Sequence, residues 1–454
     1  MSKIRLHGTS SGYTEIAPVA ASGNNTLTLP NDGTIISKDA AGAVGVTSVH
    51  TTNITATGIA TITTAKIGAG VTITESGIEA SGIGITCANI NGTQIGGRRN
   101  IIINGDMQVA QRATSSTSAG YSTVDRWSNS YSHDATMTIT QHALTSSDSG
   151  PYEEGFRYSH HATNGSTSAD AGQYYEPQQP IEAQNVSLSG WNYKSSTSFI
   201  TLSFWVKSSV GQEYQAGLLS TDGTLYKYPF AFTLSANTWT KVVKTIPGNS
   251  NLQIDNDNGE GLRVSIVPYF GTNYTDNSVS HDAWSTWSSG ARWKDSTTTW
   301  WTTNGATFEF TGVQLEVGTQ ATAFEHRSFG EELALCQRYC QTINNDGSQG
   351  GNGQVDISEN ASLYNASNLF CSIRFKVSMR AEPTFSVTTG TNYYVVYTND
   401  TGVYVTGSGM QKNGNSNTES FVINQTGTTL GTSGHSALFR VNNTSGKIIF
   451  NAEL

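Results

Sequence analysis

The sequence predicts an all-β chain: a thin N-terminal region containing an intertwined trimeric β-stalk, followed by two β-sandwich domains joined by one short helix. Three observations predict it. All nine tryptophans fall between Trp127 and Trp301. Residues 40 to 65 carry no charge, and isoleucine recurs at 54, 59, 62, 67, 73, 78, 83, 85 and 90. The periodicity becomes helical only at SFGEELALCQRYCQ, residues 328 to 341.

At 454 residues the chain exceeds the usual ceiling for one hydrophobic core, so several modules are expected. Charged residues make up 13%, against roughly a quarter in ordinary soluble domains. The 47 glycines and abundant Thr, Ser and Asn fill the difference, the bias of an all-β structural protein. The net charge is -9, and the 25 Lys and Arg form no basic stripe, which argues against a nucleic-acid partner. The first thirty residues lack the apolar core of a secretion signal. No apolar run reaches the roughly 18 residues that span a bilayer, so a cytosolically made chain without membrane insertion is expected. Cys87, Cys336, Cys340 and Cys371 form neither a disulfide framework nor a C-x-x-C pair.

Residues 1 to about 98 alternate Ile or Val with Thr, Ser or Ala between glycines, which argues for strand. The stretch 51 to 86 has three charged side chains (Lys66, Glu75, Glu79), no aromatic ring and no proline, so one copy cannot build a core. Three copies wound about an axis would pair their open edges and stack their isoleucines; a flexible linker is the other reading. From 99 to 328, aromatic-rich runs such as SFITLSFWVKSS and GLRVSIVPYF, separated by turn signals, look like an antiparallel sandwich. Ser328 with Glu331 forms a capping box, and Leu333, Cys336, Tyr339 and Cys340 share a helix face over 329 to 341. Strands resume over 342 to 454 as a second β-domain.

No enzyme signature emerges. Gly8-Thr9-Ser10-Ser11-Gly12 matches the nucleophile-elbow spacing but lacks the strand and helix that the elbow requires. Asp255 to Glu260 resembles a calcium loop with its glycine out of register. His160 and His161 point to opposite faces of a strand, so no metal site and no cofactor are read. No carboxylate pair stands out for glycoside hydrolysis, leaving catalytic residues unassigned and a depolymerase allowed but not indicated.

The constellation that does stand out is YFGTNYTDNSVSHDAWSTWSSGARWKDSTTTWW, residues 269 to 301. Tyr274, Trp284, Trp287, Trp293, Trp300 and Trp301 lie among Ser, Thr, Asp and Asn in a non-alternating, loop-like stretch. Flat aromatic faces stack on sugar rings while amides, hydroxyls and carboxylates meet sugar hydroxyls. Glycan contact, trimer contact and loop self-packing are the readings for these six. Trp127, Trp191, Trp205 and Trp239 sit in alternating strand patterns and are expected in the core. Tyr393, Tyr394 and Tyr397 form a smaller group read as ordinary strand residues.

The opening IRLHGTSSGYTEIAPVAASGNNTLTLP, then RRNIIINGDMQVAQR with VDRW, TGVQLEVGTQATAFEHRSFGEELALCQRYCQ, and MRAEPTF resemble tail fibre proteins of tailed, especially marine, bacteriophages. The resemblance is patchy and does not cover 270 to 305. It implies a homotrimeric virion fibre with jelly-roll modules like those of carbohydrate-binding proteins. Residues 1 to 38 would attach to other tail or virion proteins, 39 to 98 form the stalk, and 99 to 328 and 342 to 454 face host surface polysaccharide. A tail depolymerase and a purely structural virion decoration are the alternatives.

Overall fold

In the computed structural model the described residues are 99–345, 347, 353–399, 401–427 and 429–454. Earlier in the chain only short backbone strands are assigned, including the antiparallel set Thr64–Ile67, Val71–Thr74 and Gly77–Ala80. The expected attachment segment 1–38 and stalk 39–98 otherwise lie outside the described residues. The chain divides into two compact units, Met1–Thr86 and Cys87–Leu454, and all side-chain geometry below belongs to the second.

The chain is all-β, with several packed sheets. The first sandwich is built from β1 (Ser115–Ser116), β2 (Ser128–Ser132), β3 (Thr138–Ala143), β4 (Tyr158–Thr163), β5 (Tyr174–Glu182), β6 (Phe199–Ser208) and β7 (Glu213–Ser220). It continues with β8 (Tyr226–Thr233), β9 (Thr240–Pro247), β10 (Glu260–Val267), β11 (Tyr269–Phe270), β12 (Ser285–Thr286) and β13 (Thr307–Val317). One sheet runs β9-β6-β13-β4-β3-β1. The other runs β11-β5-β10-β7-β8-β12, with β2 also on β5. Every pairing is antiparallel.

Period-two patterning decides which face is inside. In β6, Ile200, Leu202, Phe204 and Val206 are fully buried against Leu262, Val264 and Ile266 of β10 and their neighbours, in a single core. The alternate residues, including Trp205 and Lys207 on β6 and Arg263 and Ser265 on β10, face outward. A one-residue slip between β6 and β13 makes a bulge after Ser203. Gly312 sits in it at φ 63°, and a Cβ there would lie 2.6 Å from Phe156, so the bulge needs glycine.

The capping box is present: Ser328 accepts from Glu331 N, and the Glu331 side chain accepts from Ser328 N. The helix spans Phe329–Gln337, shorter than the expected 329 to 341. Cys340 instead opens the strand Cys340–Asn344, which pairs with Lys447–Asn451. Just past the helix, Arg338 is drawn to Glu182, at 2.7 and 2.8 Å. Cys336 and Tyr339 pack against Ile103 and Val109, so the helix face docks on the sandwich.

The C-terminal β-domain pairs that three-stranded sheet, which includes Thr384–Val387, with a seven-stranded sheet around its own core of Leu363, Phe421, Phe439 and Phe450. A buried ionic cluster ties it to the sandwich. Glu453 pairs with Arg112 at 3.2 Å and closely with Arg126, whose guanidinium lies 3.6 Å from the Tyr339 ring centroid.

Candidate functional site

The outer face of the β5-β10-β7-β8 sheet would be open to water but for the excursion between β11 and the short helix Thr299–Thr302, which arches over it. The arch is held within itself, where Arg292 N donates to Tyr274 O at 2.8 Å and Asp276 N to Trp293 O at 3.0 Å, and to the residue preceding β8, where Trp287 N donates to Leu225 O at 2.9 Å. Beneath it lies a pocket of about 260 Å³ whose floor includes Glu176 of β5, Arg263 and Ser265 of β10, Leu219 of β7 and Lys227 of β8. Trp287, Arg292 and Trp293 of the arch complete the lining.

The six aromatic candidates separate into three groups. Trp287 and Trp293 line the pocket, and Tyr274 supports it: the Arg292 guanidinium lies 4.6 Å from the Tyr274 ring and 5.5 Å from Trp287. Trp293 is itself largely buried against Val267 and Phe270, leaving it as a wall rather than a free plate. Trp284 stands apart, donating from Nε1 to Pro247 O at 2.7 Å and meeting Tyr228 edge-on.

Trp300 and Trp301 correct the loop expectation: both are fully buried in the core. Their ring N–H groups find acceptors inside, Trp300 at Thr307 O (3.0 Å) and Trp301 at Gln173 Oε1 (2.7 Å). Trp301 stacks on Tyr269 at 4.8 Å. With both faces and the polar edge satisfied, neither indole can reach a ligand. The reverse correction applies to Trp205 and Trp239, expected in the core but half-buried. Trp205 lies on the outward phase of β6 and donates to Glu154; Trp239 donates to Asp148. Trp127 and Trp191 are buried as expected. Tyr394 is core, while Tyr393 and Tyr397 are half-buried.

The charged members of the pocket were not found from the sequence. Arg263 is tied down by Glu260 in a two-pronged pair, at 2.6 and 2.8 Å. Lys227 is buried, its ammonium donates to Ala291 O, and no carboxylate pairs with it among the described residues. Burial holds its ammonium down at about 8. Arg292 makes no side-chain hydrogen bond or ion pair among the described residues, and its Nε is buried. Burial raises the Glu176 carboxyl, against the hydrogen bond from Ser265 and the pull of Arg263 and Arg292. The pocket thus offers an indole, a hydrogen-bonding floor, and two cations with no carboxylate in ion-pair contact among the described residues, although Glu176 acts on Arg292 and Asp276 on Lys227 from farther away.

No protein-family model and no curated protein matches the chain. Solved structures similar to it include the N-terminal cellulose-binding domain of Cellulomonas fimi β-1,4-glucanase C, at 8% identity and TM-score 0.24, covering 47% of this chain and 99% of that one. The family 11 carbohydrate-binding module of a Clostridium thermocellum cellulosomal cellulase is 12% identical at TM-score 0.22, over 47% of this chain and 97% of that one. The enzymatically active domain of tailspike protein 4 from bacteriophage CBA120 is 11% identical at TM-score 0.26, over 48% of this chain and 21% of that one.

Proposed function

We propose that the sandwich is a glycan-binding module, and that its site is the arched pocket over the outer face of the second sheet. The observation that carries the reading is Arg292: a guanidinium held against the rings of Tyr274 and Trp287, making no side-chain hydrogen bond and no ion pair among the described residues, at the wall of a pocket. A sugar ring stacked on Trp287 would place its substituents against Arg292 and Lys227, so a glycan bearing a carboxylate, sulfate or phosphate fits the chemistry. Glu176 and Ser265 are available to sugar hydroxyls. Function is binding, with no bond made or broken.

The resemblance of the N-terminal and helix motifs to phage tail fibres supports the larger reading. In it the chain is a homotrimeric virion fibre that docks through residues 1 to 38 and adheres to host surface polysaccharide. Three equivalent pockets would turn weak single-site binding into firm attachment. The test is binding of labelled protein to host cells and extracted polysaccharide, wild type against Trp287→Ala and Trp284→Ala. Loss in Trp287→Ala alone supports the pocket; equal binding by all three proteins rejects it.

A further inference from the structure

On the opposite face of the sandwich, strand register builds a second constellation. His161 of β4 stands directly across from Glu309 of β13, which stands across from Lys207 of β6. One row along the same face, His142 of β3 stands across from Ser159. The result is two imidazoles converging on one carboxylate: His142 Nδ1 is 3.1 Å from Glu309 Oε2, and His161 Nδ1 is 3.4 Å from Oε1. One ligand atom from each of the three residues lies within 4.8 Å of the others. We propose that His142, His161 and Glu309 form a binding site for a divalent transition metal of the zinc, cobalt or nickel type.

The two imidazoles approach different oxygens of Glu309, at 3.1 and 3.4 Å, and one donor atom from each residue lies within 4.8 Å of the others. A tetrahedral site with arms of 2.0–2.1 Å has edges of about 3.3 Å, so the ion would draw the three groups together on one carboxylate oxygen. Two imidazole nitrogens and one carboxylate oxygen are a donor set for such a metal, with a position left for water or ligand. The second sphere is built as well. Thr163 Oγ1 lies 3.2 Å from His161 Nε2 and fixes that ring, while Ser159 Oγ donates to Glu309 Oε2 at 3.0 Å. With Nε2–H donating to Thr163, Nδ1 is left as a free acceptor for the ion; in the other tautomer Nδ1–H faces the Glu309 carboxylate, and the ion displaces that proton. His161 Nδ1 is buried and makes no geometrically formed hydrogen bond among the described residues. The His142 side chain is 47% exposed, which gives the ion an entry path.

Lys207 stands in the way, 3.1 Å from Glu309 Oε1, but it has another home. Asp148 accepts from it at 3.0 Å, and the Trp239 ring lies 4.8 Å from its ammonium. The competition gives a prediction that a simple ion-pair network does not make: Lys207→Gln should tighten metal binding, whereas loss of a ligand should weaken it.

The test is titration of the untagged full-length chain with Zn²⁺ by calorimetry and with Co²⁺ by visible absorption, alongside His142→Ala, Glu309→Gln and Lys207→Gln. The expected result is one ion per chain, a Co²⁺ spectrum of tetrahedral intensity, affinity at least about tenfold weaker in His142→Ala, and tighter binding in Lys207→Gln. His142 is the variant of choice because its exposed ring puts folding least at risk, and unchanged circular dichroism would confirm that. Absence of binding by the wild type overturns the proposal. So does binding that His142→Ala and Glu309→Gln both leave unchanged, since the ion would then sit on other histidines.

Discussion

Glu453, the next-to-last residue of the sequence, sits at the centre of a buried ionic cluster. Its carboxylate is 3% exposed and joins Arg126, whose side chain is 1% exposed, to Arg112, at 7%. Glu453→Gln keeps the volume and removes the charge. Arg112 would retain Asp125 at 3.6 Å and Asn451 Oδ1 at 2.9 Å. Arg126 would keep the Pro180 carbonyl, the Tyr339 ring and at most a neutral amide oxygen of Gln, leaving a buried guanidinium with no carboxylate partner among the described residues. Stranding one partner of a buried pair costs about 3–5 kcal/mol. The control is Asp356→Asn, which breaks the 2.6 Å pair with Arg440, whose two side chains are 27% and 57% exposed; such a pair is worth about 0–1 kcal/mol. Urea unfolding followed by tryptophan fluorescence measures both. Burial, and not distance, sets the difference, so comparable midpoint shifts in the two variants would refute the reasoning.

Burial, followed by the nearby Glu332 carboxylate, raises Asp106 to about 7. The folded chain then holds a proton that the unfolded chain releases near pH 4, so this group's contribution falls as pH rises from about 4 to 7. Asp106→Asn should be more stable than wild type at pH 8 and similar to it at pH 4, measured by Tm. Asp148 and Glu309 run the other way: both sit at about 2, burial being outweighed by the Thr145 N–H, the Trp239 indole and Lys207 for the first, and by His161 and Lys207 for the second. Their stabilisation is complete above about pH 4 and is lost as pH falls toward 2, which acid unfolding of Lys207→Met should expose as a reduced slope. Trp301→Ala should cost about 3–5 kcal/mol in urea titration because it empties a fully buried site, whereas Trp287→Ala, at the pocket wall, should cost far less and weaken glycan binding instead. Because Lys227 titrates at about 8, affinity for an anionic glycan should decline as pH passes from 7 to 9, read by calorimetry in matched salt.

The sandwich was legible because alternation was strong. In SFITLSFWV and GLRVSIV, Ile200, Leu202, Phe204 and Val206 and Leu262, Val264 and Ile266 share one face, and these are the residues that close the core. The capping box at Ser328 was legible because it is a local motif, while the end of its helix was not, because long-range contacts of Arg338 and Tyr339 with Glu182 pull the chain out of helix. Phase was the limit for the tryptophans. Trp205 alternates like a core residue but on the outward count, which the sequence alone does not reveal. Trp300 and Trp301 look like loop residues because their acceptors, Thr307 O and Gln173, come from elsewhere in the chain. The same limit hid the charged pocket and the His142, His161 and Glu309 constellation. Their members lie on separate strands, and only antiparallel register brings them together.

The central claim, that the arched pocket recognises an acidic glycan through Arg292, is tested most directly by calorimetric titration of one polysaccharide in its native anionic form and after its acidic groups are neutralised, against wild type and Arg292→Gln. The account predicts that wild type prefers the anionic form by about tenfold or more and that Arg292→Gln loses that preference while still unfolding like wild type. Equal binding of both forms by wild type, or a preference that survives Arg292→Gln, would contradict it.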